Sequence, residues 1–458
     1  MTSPSDPDPA DDQPIRGEDD LVAIFHAAEK PKAQFRIGVE AEKFAIDATT
    51  AAPLSYEGER GVLRVFAALI EGHGWQPERE QPDGPIIALR REHARVTLEP
   101  GAQLELSGAA LPDVHAICGE LRGHLSELRT ISSEMNLVWL GVGFQPLARQ
   151  ADLPWVPKQR YRIMKEYLPT RGSAAHDMMR RTATVQANYD WSSEEDALRK
   201  LRVALRLAPL TNAMFANSPF YEGRLSGKKS LRGEVWLDMD PSRSGLIPSL
   251  WKKERPSYRD YAEWALDAGM FLIKRGARVL ANTGQSFRSF LSDGFQGERA
   301  TRGDWKLHLS SLFPEARIKN TLEVRACDSL PTNLACAVPA LYAGILYDER
   351  ALGEAEELGL RFDYEQVSRA RPELVRLGLA ASIAGLPART LAERLLEIAS
   401  SGLERRAQLS SGGSDERVHL RRLGELVSAG KSPADVLTGG LSVQDPDLRA
   451  EIVARTLL

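Results

Sequence analysis

Two glutamates two positions apart are the feature of this sequence that most directly suggests chemistry. Glu40 and Glu42 lie in the segment 35–44, FRIGVEAEKF, in which apolar residues alternate with other residues. Successive side chains of a β-strand point to opposite faces, so this pattern predicts a strand that carries both carboxylates on one face. Two neighbouring carboxylates repel each other and are costly to bury. The strand is therefore predicted to line a wet cleft or to hold a cation.

Three further segments repeat this arrangement of a strand with one polar face. They cover residues 96–107, 178–190 and 319–326. The first is interrupted by Pro100-Gly101, which predicts a bulge or kink that re-aims the side chains on either side. The polar residues that these strands would present are Glu99, Gln103, Glu105, Gln186, Asn188, Glu323 and Arg325.

Carboxylates that converge on one place need cations between them. The candidates are Glu40, Glu42, Glu99, Glu105 and Glu323. Carboxylate and amide oxygens suit a hard ion such as Mg²⁺, and Mg²⁺ in turn suggests a phosphate-bearing substrate such as ATP. A polar, glycine-rich connection over residues 223–248 contains Arg232 and Arg243, which could face a phosphate or a substrate carboxylate. Residues 146–169 form a long irregular stretch of the kind that often carries function.

Each of these residues also has a purely structural interpretation. A glutamate on the polar face of a half-exposed strand is usually just solvated. Arg325 could pair with Glu323 as a neighbour on the sheet, and Met178 and Met179 are predicted to fill the core. A polar face that recurs on several predicted strands favours a shared functional site. The usual ATP-binding motifs are missing, since Gly223–Ser230 has one residue too few between its glycines for a P-loop.

Helical patterns separate the predicted strands. Residues 111–135, 193–215 and 258–274 are predicted to form helices, the first of them long and amphipathic. The strands follow one another without regular βαβ units, which predicts an α+β fold built on an antiparallel sheet. Residues 351–458 are helical in pattern throughout, and we expect them to pack on a catalytic domain of residues 21–350.

The composition argues against several classes of protein. Lys and Arg number 59 against 63 Asp and Glu, a net charge of −4 that gives no sign of a nucleic-acid partner or a membrane surface. No apolar run is long enough to span a bilayer. Residues 1–20 are acidic and proline-rich, lack the features of a signal peptide and are predicted to be a disordered tail. The cysteines Cys118, Cys327 and Cys336 are few and odd in number, which predicts a cytoplasmic protein without a disulfide framework or a zinc site.

Six motifs in this order resemble those of glutamate–cysteine ligases of the plant and proteobacterial type. They are residues 37–44 (IGVEAEKF), 98–108 (LEPGAQLELSG), 140–146 (LGVGFQP), 178–190, 215–220 (FANSPF) and 321–325 (TLEVR). The resemblance implies a glutamine-synthetase-like fold, in which a curved antiparallel sheet forms a funnel surrounded by helices. It also implies ATP-dependent joining of the L-glutamate γ-carboxylate to the amine of L-cysteine through γ-glutamyl phosphate, the first step of glutathione synthesis.

The resemblance further implies roles for single residues. The residues that match metal ligands, for two or three Mg²⁺ ions, are Glu40, Glu42, Glu99, Glu105 and Glu323. Gln186 and Asn188 match polar contacts to metal or nucleotide. Arg232 and Arg325 resemble partners of phosphate or substrate carboxylate in catalysis, and Arg243 is assigned to nucleotide binding. The expected partners are L-glutamate, L-cysteine and ATP, in a monomer or homodimer.

Two other functions stay open at this point. A carboxylate–amine ligase of the same fold could keep the glutamate and ATP machinery and use another amine. An inactive relative could act as a regulatory module, although all five candidate ligands are present in this sequence. Plant members use a redox-sensitive disulfide, but Cys327 and Cys336 are nine positions apart and the sequence assigns no such switch.

Overall fold

An antiparallel sheet is the scaffold of the chain in the computed structural model, which describes residues 9–276 and 278–458. Within these residues the sheet holds nine strands. They are β1 (Ile37–Asp47), β2 (Gln76–Arg79), β3 (Ile86–Arg91), β4 (Ala94–Leu98), β5 (Leu104–Ser107), β6 (Leu137–Leu140), β7 (Val185–Tyr189), β8 (Ala316–Ile318) and β9 (Leu322–Val324).

The long strand β1 is the centre of this sheet. Its first part pairs with β7 on one side and β5 on the other, and its last four residues pair with β6. The strand order is β8-β9-β7-β1-β5-β4-β3-β2, with β6 beside the end of β1. Every ladder in the sheet is antiparallel, as the irregular alternation of strands and helices predicts. Short two-stranded pairs form elsewhere, at 220–221 with 224–225, 244–245 with 313–314, 272–275 with 278–281 and 382–383 with 386–387.

Helices surround the sheet. The first group is α1 (Glu18–Ala27), α2 (Val62–His73), α3 (Val114–Met135), α4 (Gln159–Tyr167), α5 (Ala175–Arg181), α6 (Glu194–Met214), α7 (Leu231–Leu237), α8 (Pro248–Lys252), α9 (Tyr258–Asp267), α10 (Phe287–Asp293) and α11 (Arg302–Ser310). The second group is α12 (Thr332–Ala335), α13 (Ala337–Leu346), α14 (Glu349–Leu360), α15 (Tyr364–Leu377), α16 (Ala388–Arg406), α17 (Arg421–Ser428), α18 (Pro433–Thr438) and α19 (Leu448–Thr456). Among the described residues, none of these helices is long and apolar enough to cross a membrane.

One face of the sheet forms part of the hydrophobic core. Ala41 of β1 lies opposite Leu106 of β5, which lies opposite Val96 of β4, and Val96 lies opposite Leu89 of β3. This row is buried, and β1 contacts the buried face of α3. Helix α6 begins after Ser193, whose hydroxyl accepts a hydrogen bond from the backbone of Asp196, and it contacts α14, α15 and α16 from the C-terminal part of the chain.

Two segments differ from the prediction. The helix predicted over residues 258–274 ends at Asp267, and the chain then forms a β-hairpin whose turn contains Gly276 with a φ of +56°. Of the predicted disordered tail, residues 1–8 lie outside the described residues. The rest of it packs against α11 and the residues just before it: the backbone N–H of Ile15 donates to the Ala300 carbonyl at 3.1 Å, and Asp20 pairs with Arg302 of α11 at 2.5 Å.

The sequence predicts no disulfide framework, whereas the structure joins two of the three cysteines. Cys118 of α3 and Cys336 at the start of α13 form a disulfide in the structure, and Cys327 is a buried free thiol. The two partners are 218 positions apart in the sequence. Their approach depends on the contact between α3 and α13, which no local spacing pattern could reveal.

Candidate active site

The register of the sheet gathers the polar residues on the face opposite to the core. Glu42 of β1 lies directly opposite Glu105 of β5, and Glu40 lies directly opposite Gln186 of β7. Like charges on directly opposed strand positions destabilise a sheet. The opposed carboxylates of Glu42 and Glu105 are therefore unfavourable for the fold by themselves. Such a pair is expected at a site that receives a cation.

Glu42, Glu99 and Glu105 form a compact group of three carboxylates. One oxygen of each lies within 4.8 Å of the others. The hydroxyl of Thr97 donates to Glu105 at 2.6 Å, and the backbone N–H of Thr184 donates to Glu42 at 3.0 Å. These bonds hold two of the three carboxylates in place on β1 and β5, and Glu99, the third, lies in the turn at Pro100-Gly101 that joins β4 to β5 as a hairpin. We refer to these three residues as the carboxylate cluster.

Burial and mutual repulsion raise the pKa of two members of the carboxylate cluster, Glu42 and Glu99, whereas hydrogen bonds from Thr97 and Ser107 help to lower the pKa of Glu105 to about 2. Burial raises the pKa of the Glu42 carboxyl well above its ordinary value, and the charges of Glu99 and Glu105 raise it further. Burial also raises the pKa of Glu99, with a further contribution from Glu105. A divalent cation would relieve this repulsion, and a set of carboxylate oxygens is the donor set that a hard ion such as Mg²⁺ takes. The residues present therefore fit the predicted ion.

The raised pKa values lead to a prediction about pH. We expect Mg²⁺ to bind more weakly as the pH falls towards the range in which an exposed glutamate titrates, because the raised pKa values let protons compete for Glu42 and Glu99 while an exposed glutamate is still ionised. Calorimetric titration with Mg²⁺ in two buffers of different ionisation enthalpy would measure both the affinity and the protons released. An affinity that is constant over this range, with no proton release, would contradict the prediction.

Two arginines face the carboxylate cluster. Arg325 donates to the Gln186 side chain at 2.6 Å and pairs with Glu323. Arg232, in the first turn of α7, donates to the backbone carbonyls of Ala326 at 3.1 Å and Arg325 at 2.8 Å. The positive charges of Arg232 and Arg325 oppose the rise in the pKa of Glu42 that burial causes. Both guanidinium groups are thus held by the protein beside the carboxylates.

An open cleft of about 590 Å³ lies above these residues. Its polar lining consists of Glu40, Glu42, Glu99, Gln103, Glu105, Thr182, Thr184, Gln186, Arg232 and Arg325. Its apolar lining includes Met164, Met178, Met179, Trp236 and Phe313. Met178 and Met179 are buried as predicted, but they also form part of the cleft wall, which the interpretation as core filler missed. The cleft therefore has a charged floor and an apolar side.

Glu323, predicted as a metal ligand, has different immediate neighbours. Arg317 donates to one of its oxygens at 2.6 Å, Arg325 contacts the other, and Lys319 lies 3.8 Å away. Burial would raise the pKa of Glu323, but Arg317 and Arg325 hold that pKa well below its ordinary range. In the structure Glu323 thus acts as the anionic anchor of Arg325, and it does not line the cleft.

Two other predicted residues also lie outside the lining of the cleft. Asn188 donates to Glu40 at 3.3 Å and lies opposite Glu323 in the ladder of β7 and β9. Arg243 is fully buried, pairs with Asp240 at 2.9 Å and donates to the carbonyl of Ser311 at 3.1 Å. The structure does not bring Arg243 to the carboxylate cluster, because its charge is already satisfied inside the protein.

Lys158 and Arg160 are residues near the site that the sequence interpretation missed. Lys158 donates to the Leu98 carbonyl at 2.7 Å, next to Glu99. Burial, with a contribution from the charge of Arg160, lowers the pKa of Lys158 to about 8. Both positive charges counteract the rise in the pKa of Glu99. The sequence contains one signal that could have identified them. Both basic residues lie in the long irregular stretch 146–169, a kind of segment that often carries function.

Asp328 connects α7, the helix that carries Arg232, to the end of the sheet. This fully buried carboxylate accepts hydrogen bonds from the Asn217 backbone N–H at 2.8 Å, the Ser218 hydroxyl at 2.6 Å and the Ser230 hydroxyl at 2.9 Å. Ser230 in turn caps the N-terminus of α7. Asp328 is therefore a positioning residue for Arg232.

We expect Asp328→Asn to lower both stability and turnover. The amide group of asparagine would meet a donor where the carboxylate accepts, and a buried unsatisfied donor costs about 1–3 kcal/mol. Thermal unfolding and steady-state kinetics would measure the two effects. Ser230→Ala is a second test of the same connection, because it removes one hydrogen bond to Asp328 together with the N-cap of α7, and it should change stability and turnover in the same direction. Wild-type kinetics in Asp328→Asn would exclude the positioning role.

The chain resembles known proteins over most of its length. Residues 36–453 match the family model described as glutamate–cysteine ligase family 2. The chain is 38% identical over 423 residues to glutamate–cysteine ligase B, chloroplastic, of Oryza sativa subsp. japonica, which covers 92% of this chain and 83% of the rice protein. It is 37% identical over 428 residues to glutamate–cysteine ligase, chloroplastic, of Arabidopsis thaliana, covering 93% of this chain and 80% of that protein.

A solved structure supports the fold. The glutamate–cysteine ligase of Francisella tularensis in complex with AMP has a TM-score of 0.53 at 11% sequence identity, over 93% of this chain and 88% of that one. At this identity the likeness bears on the fold alone, and it confirms the α+β, glutamine-synthetase-like class predicted from the sequence.

The predicted cytoplasmic location is corrected by the same comparisons. The rice, Arabidopsis thaliana and Medicago truncatula relatives are all named chloroplastic, which overturns the prediction. That prediction rested on the small, odd number of cysteines. The disulfide between Cys118 and Cys336 removes that argument independently.

Proposed function

This chain belongs to glutamate–cysteine ligase family 2, and we propose that its carboxylate cluster and the two arginines beside it form the active site. The chain is an ATP-dependent ligase that joins the γ-carboxylate of L-glutamate to the amine of L-cysteine, the first step of glutathione biosynthesis. The observation that carries the site assignment is the grouping of three carboxylate oxygens within 4.8 Å in a cleft lined by Arg232 and Arg325.

The reaction brings two anions together, the γ-carboxylate of glutamate and the triphosphate of ATP. Mg²⁺ held by Glu42, Glu99 and Glu105, with Glu40 beside them, would supply positive charge to the phosphates. Glu323 remains a candidate ligand only if its ion pair with Arg325 is released. The predicted number of two or three ions belongs to this proposal.

The arginines supply the positive charge that the protein itself contributes. Arg325 is anchored by Glu323 and Gln186, so its fork is oriented before a substrate arrives. A guanidinium in this setting binds a carboxylate or phosphate oxygen through paired N–H donors. Arg232, held by two backbone carbonyls, is available for a second anionic group. We assign these two arginines to the γ-carboxylate and to the phosphoryl group in transfer.

The chemistry needs no covalent protein nucleophile. Transfer of the γ-phosphoryl group of ATP to the glutamate γ-carboxylate gives γ-glutamyl phosphate and ADP, and the cysteine amine then displaces phosphate and loses a proton. The free thiol Cys327 is buried, and burial raises the pKa of that thiol, so it is a poor candidate for a reactive thiolate. We expect the apolar wall that contains Met164, Trp236 and Phe313 to limit the access of water to the acyl phosphate.

The test is ADP release by the purified protein with Mg-ATP and L-glutamate, with and without L-cysteine, followed by mass analysis of the product. Cysteine-dependent ADP together with the mass of γ-glutamylcysteine supports the proposal. ADP that depends on a different amine would keep the site and change the acceptor. No ADP with any amino acid would favour the inactive regulatory relative and remove the proposed catalytic roles.

A further inference from the structure

A second group of potential metal ligands lies away from the cleft. The sulfur atoms of Cys118 and Cys336 and a ring nitrogen of His419 lie within 4.8 Å of one another. Cys118 belongs to α3, Cys336 precedes α13, and His419 lies in a short 3₁₀ helix at Glu416–Leu420. Three separate elements thus contribute one ligand atom each, and we call Cys118, Cys336 and His419 the thiol–imidazole group.

The spacing within this group suits a tetrahedral ion. The Cys118 sulfur lies 3.5 Å from Nδ1 of His419. Around a tetrahedral zinc ion, a sulfur at about 2.3 Å and a nitrogen at about 2.0–2.1 Å are separated by roughly 3.6 Å. The two cysteines have Cα atoms 5.8 Å apart, so side-chain rotation alone could separate the sulfurs once they are no longer bonded to each other. Both cysteines are buried, whereas His419 is only partly buried.

A second histidine orients the first. Nε2 of His419 lies 3.0 Å from Nδ1 of His115, in the first turn of α3. If His419 donates from Nε2, its Nδ1 keeps a lone pair that faces the Cys118 sulfur. His115 then carries its proton on Nε2, a buried atom that has no hydrogen-bond partner among the described residues. Metal-bound histidines commonly use their other ring nitrogen in such an orienting hydrogen bond.

We propose that, in the reduced protein, Cys118, Cys336 and His419 bind one thiophilic divalent cation of the Zn²⁺ type. His115 acts as the positioning residue for His419. An external dithiol reduces the disulfide by thiol–disulfide exchange: it gives up two electrons and two protons, becomes a disulfide itself and leaves Cys118 and Cys336 as two thiols. Binding of the cation by both sulfurs then releases two protons, so the cation and the disulfide exclude each other. The site would link α3 to the C-terminal helices, where the Val114 backbone N–H already donates to Glu416 at 2.7 Å.

Binding of Co²⁺ distinguishes the thiol–imidazole group from the carboxylate cluster by its absorption spectrum. The full-length protein would be reduced with a phosphine, freed of reductant and titrated with Co²⁺ without oxygen. A thiolate-to-cobalt charge-transfer band that saturates at one equivalent is expected, with a rise in the temperature of unfolding. Carboxylates cannot give this band, so Glu42→Gln should leave it unchanged. The unreduced protein should not show it.

Variants assign the ligands. Cys118→Ser and Cys336→Ser should lose the band or shift it strongly, and Cys327→Ser, which alters the remaining cysteine, is the matched control that should retain it. His419→Gln should weaken Co²⁺ binding at least tenfold with both sulfurs intact, and His115→Ala should weaken it by about 10–100-fold. No band in the reduced wild-type protein, or an unchanged band in Cys118→Ser, would overturn the proposal. The comparison of reduced with unreduced wild-type protein tests the proposal even if a variant fails to fold.

Discussion

Glu42→Gln is expected to lower kcat/KM for the ligation by about a thousandfold while leaving the protein folded. Glu42 lies at the centre of the site, opposite Glu105 on the neighbouring strand and next to Glu99. A neutral amide of almost the same shape can still accept the hydrogen bond from the Thr184 backbone. It is, however, a much weaker partner for a divalent cation than a carboxylate, so we expect the concentration of Mg²⁺ needed for half-maximal activity to rise.

The free energy of unfolding of Glu42→Gln should be equal to that of the wild-type protein or higher. Burial and two neighbouring carboxylates raise the pKa of Glu42, so its charged form is unfavourable in the fold without a cation. The substitution removes that repulsion. Steady-state kinetics at several Mg²⁺ concentrations, together with thermal unfolding, would separate the two effects. Glu92→Gln, in the exposed turn between β3 and β4, is the matched control and should retain wild-type kinetics. Wild-type activity in Glu42→Gln would remove this residue from the proposed site.

The alternation of side chains was sufficient to predict much of the candidate site. A strand period of two places Glu40 and Glu42 on one face, and the break at Pro100-Gly101 is compatible with Glu99 and Glu105 on that same face. The pairing of Glu42 with Glu105 was not predictable, because it depends on the register between strands that are distant in the sequence. The carboxylate cluster therefore follows from local pattern and long-range pairing together.

The failures of the sequence interpretation have a common physical cause. Arg243 was selected from its charge in a polar connection and from the family resemblance, yet in the structure it pairs with Asp240, three positions before it. The approach of Lys158 to Glu99 and of Cys118 to Cys336 requires contacts between separate elements. Charge and residue type predict which groups can interact, but tertiary packing decides which partner each group meets.

Arg325→Lys is expected to lower kcat/KM by about a hundredfold, with the larger part of the change in the KM for glutamate or ATP. Lysine keeps the positive charge but loses the planar fork, so it cannot hold Gln186 and Glu323 and also bind a substrate oxygen through paired donors. Kinetics with glutamate and ATP varied separately would show which substrate Arg325 contacts.

Arg317→Lys is the matched control for Arg325→Lys. Arg317 binds the same carboxylate, Glu323, but from the side of the core, and it also donates to the carbonyls of Ser310 at 3.1 Å and Leu312 at 2.7 Å. It does not line the cleft. We therefore expect Arg317→Lys to destabilise the protein by about 1–3 kcal/mol and to change kinetics less than Arg325→Lys does. If both variants lost stability alike and kept normal KM values, Arg325 would be a structural partner of Glu323 rather than a substrate-binding residue.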